Sequence, residues 1–515
     1  MSKEPLVLAV DFGTQSLRTS LINKKGEIVA IIKKVYKPAY FSKQKGYAEQ
    51  SPKFYWDYLI DCLSNLTSNN KDKLDDIIGA TITTFRDSSV QLDKNNEPLR
   101  DIILWLDQRT AKVDVKLPLF SRIAFKLVGM TDTIELNRKR TIAYWIQENE
   151  PEVWKKTAHY VNISGYLTYK LTGNLVDSAA SVTGHYPINF KKRAWYQDGA
   201  LKNVYGVPHR MLCELKQPGE VLGVISDDVC ELTGLPKGIK LYASGSDKAC
   251  ETVGLGGLTK DIASISYGTA STVEVSNRKF HEPEKFLPAY PAAVPNFYNM
   301  EVQIYRGYWM LSWFTKEFAS ELIDEAKIQS MAVEEMLNSK LSEIPPGSDG
   351  LVLQPYWGPG LSRPLSKGAI VGFSDVHTRE HFYRAIIEGI GYALREGLEG
   401  IEKSQRHKVK KIMISGGGSQ SAAICQITAD IFGLPVHRVQ TYETTSLGAA
   451  IATFVAAKEF DSIEEATAAM VREEAPFVPN EEAHKQYNYL YKKAYLELYP
   501  NLKDIYKDIK KFGNR

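Results

Sequence analysis

The sequence predicts an α/β protein built by duplication of one domain. Three observations carry this expectation. At 515 residues the chain exceeds what one ordinary core supports, so two large domains are the default. Apolar strands, small-residue turns and helices recur in both halves. The stretch Phe12-Gly13-Thr14-Gln15-Ser16 returns as Tyr267-Gly268-Thr269-Ala270-Ser271, in each case aromatic-Gly-Thr-x-Ser between two strand-like runs. Five residues can coincide by chance, but the matching context on both sides argues against coincidence.

Val7–Val10 and Leu17–Ile22 read as strands joined by a tight Gly-containing turn, and EIVAII after Gly26 as a third. Ser51 is a fitting N-cap with Pro52 at the first helical position, and Tyr55, Leu59, Cys62, Leu63 and Leu66 then form one apolar stripe. A buried strand, Ile77–Ile82, runs into the polar corner TTFRDSS, followed by VQLD, the turn DKNNEP and IILWL. Residues 110–215 read as mixed helix and loop. From Leu241 the strand, turn and helix order resumes, with a strand at Ile412–Ile414 and a helix from near Ser419 to about Ile431, stopped by Gly433. Beyond about 460 the pattern is of charged helices. The expected divisions are 1–255, 256–460 and a helical extension, 461–515.

Composition excludes several classes. The formal charge is +3, from 64 basic and 61 acidic residues, so nothing requires a nucleic acid or an anionic membrane as partner. The basic cluster near Lys507–Lys511 reads as a solvated helix end. No apolar run approaches the roughly 18–20 residues of a membrane span, and Leu6–Val10 is too short for a secretory signal. Five widely spaced cysteines without a CxxC fit a reducing cytoplasm better than a disulfide or zinc framework.

The chemistry concentrates at three turns. A bend with Gly lets backbone approach a ligand, and its free N–H groups with Thr and Ser hydroxyls form an anion cradle. Asp11, just before such a bend, would repel a phosphate unless a divalent cation lay between them. Mg²⁺, which takes one or two carboxylates and keeps several waters, suits that place. Whether Asp11 serves a metal nucleotide or merely caps turn amides is open at this level. The second turn is Ser415-Gly416-Gly417-Gly418 between strand and helix, where a flat or anionic ligand can meet backbone and helix N-terminus. Ser421 stands where a dinucleotide fingerprint needs Gly, and no GxxxxGK[ST] occurs. The third is Gly245-Ser246-Asp247, where Asp247 could cap a helix or act as a general base.

Together these pieces resemble the FGGY family of carbohydrate kinases, from about Leu6 to about Ala457. The matching motifs are VDFGTQS, ILWLDQR (Ile103–Arg109), GYLTYKLTG (Gly165–Gly173), DSAAS (Asp177–Ser181), GSDKA (Gly245–Ala249), SYGTAS (Ser266–Ser271), SGGGSQS and ETTSLGAAIA (Glu443–Ala452). Each is weak alone, but eight in the family's order are specific. The resemblance implies the actin/Hsp70-like (ribonuclease H-like) fold, two domains around a central cleft, with ATP and Mg²⁺ as cofactors. It implies Asp247 as the catalytic base and Asp11 as a metal residue acting through water. Gly13, Thr14 and Gln15 would lie by the phosphates from one domain, and Gly268 and Thr269 from the other. Gly416, Gly417 and Gly418 would line the adenosine pocket with Ser421, and Gly307 of IYRGYW would touch nucleotide.

For the acceptor, the expected residues are Arg86 and Asp87 of TFRDSS, Trp105, Asp107 and Arg109 of ILWLDQR, and Lys248. Carboxylates accept from vicinal hydroxyls, and an indole packs on C–H faces. The bland alternatives are a surface ion pair for Arg86–Asp87 and a core aromatic for Trp105. The corner sits nearer the Arg-Glu of glycerol kinases than the His-Gly of xylulose kinases. Lys248 replaces their Gln, however, and Arg138–Glu150 lacks their Tyr-Phe-Ser run. The expected reaction is ATP-dependent phosphorylation of a hydroxyl on a small sugar, ketose or polyol, a larger ketose or sugar alcohol being at least as well supported as glycerol, with glycerol kinase proper or a non-transferring actin/Hsp70-like ATPase as the alternative. A homodimer is compatible with this reading. His377-Thr-Arg-Glu380-His381 fits a zinc-peptidase pattern, but the apolar stripe after it reads as an ordinary helix. The run LQPYWGPGLSRP reads as a loop at the cleft mouth or a plain surface loop.

Overall fold

In the computed structural model the described residues are 4–512 except 128, 200–201, 285–286, 358–359, 361–362 and 364. The outermost ends of the first and last expected segments, and part of the 353–364 run, therefore lie outside the described residues.

β1 (Leu6–Phe12) is buried along its whole length, as the unbroken apolar run requires of a strand covered on both faces. It pairs antiparallel with β2 (Ser16–Asn23), which pairs antiparallel with β3 (Ile28–Val35). On its other side β1 runs parallel to β4 (Ile77–Thr84). A hairpin of β5 (Val221–Val224) and β6 (Lys240–Tyr242) completes the sheet, in the order β5-β6-β4-β1-β2-β3. α1 (Pro52–Asn69) covers one face; Ser51 caps it by accepting from the amide of Phe54 at 3.1 Å, and the predicted stripe from Tyr55 to Leu66 is buried.

The second sheet repeats the plan. β7 (Ile262–Tyr267), β8 (Ser271–Asn277) and β9 (Tyr298–Ile304) form an antiparallel meander. β7 runs parallel to β10 (Lys411–Gly416), and β10 to β11 (Val436–His437). Five of its six strands, in the order β9-β8-β7-β10-β11, match β3-β2-β1-β4-β6, and each sheet adds one further edge strand, β5 in the first and Tyr290–Pro291 beside β9 in the second. The duplication expected from one pentapeptide echo is the architecture of the whole chain.

Two helices join the lobes. α2 (Asp247–Gly254) packs against α5 (Thr444–Ala456), and α5 also packs on β1 and β4 although it follows the second sheet in sequence. The helices touch backbone to backbone. A Cβ on Gly254 would lie 1.9 Å from the Thr444 carbonyl oxygen, and one on Gly448 1.8 Å from that of Cys250. Val7, Ala9 and Ile22 join Cys250, Val253, Leu447 and Ile451 in a core that belongs to both lobes.

The helix after the triple glycine begins later than predicted. Residues Gly417–Gln420 form a 3₁₀ turn, and α4 spans Ala422–Phe432, with Gly433 in the left-handed conformation at its end. The long helix α3 (Arg379–Gln405) carries the C-terminal segment. From α6 (Glu481–Leu490) onward, Tyr487, Tyr491 and Tyr495 enter the second lobe's core, and the hydroxyls of Tyr487 and Tyr491 donate to Glu388 and Glu399 at 2.7 and 2.8 Å. No helix among the described residues is long and apolar enough to cross a membrane.

Candidate active site

The hairpin, base and glycine-turn segments sit at the carboxyl edge of parallel strands, where open α/β sheets present ligands, while the Trp105 segment follows the short antiparallel strand Ile102–Ile103. β1 ends in Asp11 and Phe12, β4 in the Arg86 corner, and β6 leads to Asp247. β7 ends at Tyr267, just before Gly268, and β10 at the glycine turn.

The first hairpin closes through Gly13, whose amide donates to the Ser16 carbonyl at 3.0 Å. The Trp105 indole donates to the Thr14 hydroxyl at 3.0 Å, so a residue expected at the sugar also steadies the phosphate turn. Asp11 faces Arg18 across the hairpin register, at 3.5 Å, and Arg18 continues to Glu443. Burial pushes the Asp11 carboxyl up to about 7, Arg18 opposes, and the charges of Asp247, Glu443 and Glu251 push it further. A carboxylate crowded by three others is a place where a cation gains. Among the described residues no three carboxylate, histidine or cysteine donors converge enough to hold a metal alone. A cation here would rest on one or two carboxylates, its waters and phosphate oxygens, which is the habit of Mg²⁺.

Asp247 is the first residue of α2 but not its cap. Ser246 takes that role, which frees the Asp247 carboxylate except for one bond from the Lys248 amide at 2.8 Å. Burial raises its carboxyl above the ordinary range, against the pull of Lys248 and Arg86. Asp11 at the end of β1 and Asp247 after β6 thus leave the same edge of one sheet, on either side of β4, and the Asp247 charge reaches Asp11.

The structure divides the expected acceptor residues. Arg86 and Asp87 lie at the corner after β4. Arg86 makes a two-point ion pair with Glu301 of β9 in the other lobe, at 2.7 and 2.8 Å. Asp87 accepts from the backbone amide of His185 at 2.9 Å and from its Nδ1 at 2.6 Å. Asp107 and Arg109 are turned inward. Their side chains are fully buried against each other, with Arg109 also on Glu49 and stacked between Tyr47 and Trp145 at 3.8 and 4.5 Å. They hold the segment that presents Trp105. The Lys248 ammonium likewise points away from the corner, to Glu251 and the Ser266 hydroxyl, each at 2.6 Å. Glu251 also accepts from Ser266 and Ser415 at 3.0 and 2.7 Å, tying α2 to the strands that end in the second hairpin and the glycine turn.

On the nucleotide side, Gly268 and Thr269 form the second bend, and their carbonyls accept from the amides of Tyr308 and Trp309. Tyr308 packs on Tyr267 with ring centroids 4.5 Å apart and planes tilted by 31°, and a Cβ on Gly418 would lie 2.4 Å from the Tyr308 ring. Gly416 has φ +80, where a Cβ would strike the Tyr267 backbone. Gly307 has a packing reason of its own, since a Cβ there would meet Ser271 Oγ at 2.2 Å. Ser421 caps α4 by accepting from the Ile424 amide at 3.4 Å. The zinc-peptidase pattern dissolves: His377 and His381 use Nδ1 to accept from the amides of Ser374 and Thr378, and His381 Nε2 meets Asp349.

Arg18, His185, Glu251 and Glu301 escaped the sequence reading. Arg18 and Glu251 left a local signal, one strand register from Asp11 and one helical turn from Lys248. His185 and Glu301 left none, because only the tertiary fold brings them to the corner.

Two family descriptions match the chain: "FGGY family of carbohydrate kinases, N-terminal domain" over residues 6–254 and its C-terminal counterpart over 263–457. A xylulose kinase of Lactococcus lactis is 28% identical over 99% of this chain and 99% of its own. Among solved structures, a ligand-bound xylulose kinase and a gluconate kinase, both from Lactobacillus acidophilus, each superpose with a TM-score of 0.81 at 20% identity, covering 98% of this chain and 100% of theirs.

Proposed function

This chain belongs to the FGGY family of carbohydrate kinases, and from that premise we propose how its cleft performs the transfer. The protein is a sugar kinase, moving a phosphoryl group from ATP to a sugar hydroxyl. Asp247 is the general base. The sugar hydroxyl gives its proton to the Asp247 carboxylate as its oxygen bonds to the γ-phosphorus. The bond from phosphorus to the β–γ bridging oxygen breaks, and ADP leaves with that electron pair. Phosphoryl transfer asks mainly for positioning and charge stabilisation, so one well-placed base suffices.

The two Gly-Thr bends receive the phosphates from opposite lobes, and Gly416–Gly418 with Ser421 receive adenosine. Asp11 would hold a Mg²⁺ ion through water, which would supply charge neutralisation at the phosphates. What carries the reading is the placement of Asp11 at the end of β1 and Asp247 after β6, at the same edge of one sheet on either side of β4, beside the phosphate-facing hairpin. On this reading 1–255 carries the sugar and 256–460 the nucleotide, with 461–515 packed on the latter. A ketose of xylulose size is the first acceptor to try, since full-length similarity runs to a xylulose kinase; glycerol is not favoured. Five buried, free thiols fit the cytoplasm.

The test is ADP release with Asp247→Asn. Turnover should fall about 10²–10⁴-fold while ATP binding stays within twofold. Near-parent turnover would contradict the assignment, and ADP release independent of any sugar would favour the ATPase alternative.

A further inference from the structure

No motif pointed to His185, yet the fold takes trouble to place it. Asp87 has φ 53 and Gly184 φ +87, and a Cβ on Gly184 would lie 2.3 Å from the Asp87 carboxyl carbon. This close approach brings His185 onto the carboxylate through two bonds, from its amide at 2.9 Å and from Nδ1 at 2.6 Å. In the neutral ring that partner assigns the proton to Nδ1 and leaves the lone pair on Nε2. Among the described residues Nε2 has no hydrogen-bond partner, and the side chain is 22% exposed.

The pair faces the other lobe. Asp87 is within electrostatic reach of Tyr290 and Tyr305, and the adjoining Arg86 is within reach of Asp247. The two cations nearest Asp247 are both committed, Arg86 to Glu301 and Lys248 to Glu251. The corner thus offers acceptors backed by carboxylates. A sugar hydroxyl can donate to Nε2, whereas a sugar carboxylate would meet the carboxylates of Asp87 and Asp247 with Arg86 already held by Glu301, and like charges so placed are disfavoured.

We propose that His185, oriented by Asp87, is a substrate-binding residue whose Nε2 accepts a hydrogen bond from a sugar hydroxyl, and that this corner selects uncharged ketoses or polyols over sugar acids. The inference rests on the acceptor lying beside Asp247. A site built to bond a substrate hydroxyl discriminates well against analogues that leave its polar group unpaired.

The experiment measures ADP formation by the full chain with ketopentoses, ketohexoses, pentitols and aldonates. His185→Asn keeps a donor for Asp87 but deletes Nε2; His185→Gln restores an amide near the Nε2 position. The parent should turn over an uncharged sugar with kcat/KM at least tenfold above any aldonate. His185→Asn should raise the sugar KM about ten- to a hundredfold, with the ATP KM within twofold, and His185→Gln should recover part of the loss. A sugar KM unchanged in His185→Asn, while Asp247→Asn still abolishes turnover, would overturn the proposal and spare the general-base reading. A parent that prefers aldonates would overturn it without any variant. Normal turnover in Asp247→Asn would instead remove the reading on which it rests.

Discussion

Replacing Lys248 by Met should destabilise the protein far more than it disturbs sugar binding. The ammonium lies 2.6 Å from Glu251 and 2.6 Å from Ser266, with side chains 17% and 9% exposed for Lys248 and Glu251. Removing one partner of a buried ion pair typically loses about 3–5 kcal/mol, because the other charge is stranded. Here Glu251 keeps two hydroxyl donors, Ser266 and Ser415, which puts the loss at about 3 kcal/mol. The pH dependence has a definite sign. Burial raises the Glu251 carboxyl, and Lys248 with the hydroxyl donors more than offsets this, holding it below its ordinary value. Without Lys248 the two hydroxyl donors no longer outweigh burial, and the folded value moves above the unfolded one. The folded variant then binds a proton more tightly than the unfolded chain, so its stability is lost as pH rises. Thermal midpoints should show a deficit larger at about pH 8 than at about pH 5. Lys248→Met/Glu251→Gln should recover most of it. An unchanged midpoint with a tenfold higher sugar KM would refute this reasoning and return Lys248 to the acceptor site.

Two further outcomes follow from buried carboxyls. Asp177 is raised to about 7 by burial, despite bonds from Ser164 and the amide of Ser178. Its contribution is full at acid pH and fades as pH rises toward about 7, so Asp177→Asn should gain on the parent in thermal midpoint between about pH 5 and 8; parallel curves would contradict it. Chelating divalent cations should abolish transfer, and half-saturating Mg²⁺ should rise as pH falls below about 7, where a proton competes at Asp11. Asp11→Asn should need more Mg²⁺ and lose that dependence, and a retained dependence would place the proton elsewhere.

The parts legible in the sequence were those whose physics is local. A bend of Gly, Thr and Ser after a buried strand announces itself, as do Ser51-Pro52 and Gly433, and the repeated bend disclosed the repeated sheet. Side-chain direction was not legible. Asp107, Arg109 and Lys248 have the chemistry of sugar ligands, but their partners Glu49 and Glu251 turn them inward. The start of α4 slipped from near Ser419 to Ala422 because the chain leaves Gly416 with a positive φ and makes a 3₁₀ turn first. His185 reaches Asp87 from 98 positions away, and Glu301 reaches Arg86 from 215, so no window of sequence contains either pair.

The most direct test of the whole account is a crystal structure of the full chain with Mg²⁺, a non-hydrolysable ATP analogue and an accepted ketose. The terminal phosphate should lie between the bends at Gly13 and Gly268, a water of the metal should touch Asp11, and one sugar hydroxyl should hydrogen-bond to Asp247 about 3–3.5 Å from the phosphorus. A nucleotide seated outside the crevice, or an Asp247 carboxylate turned away from the sugar, would contradict it.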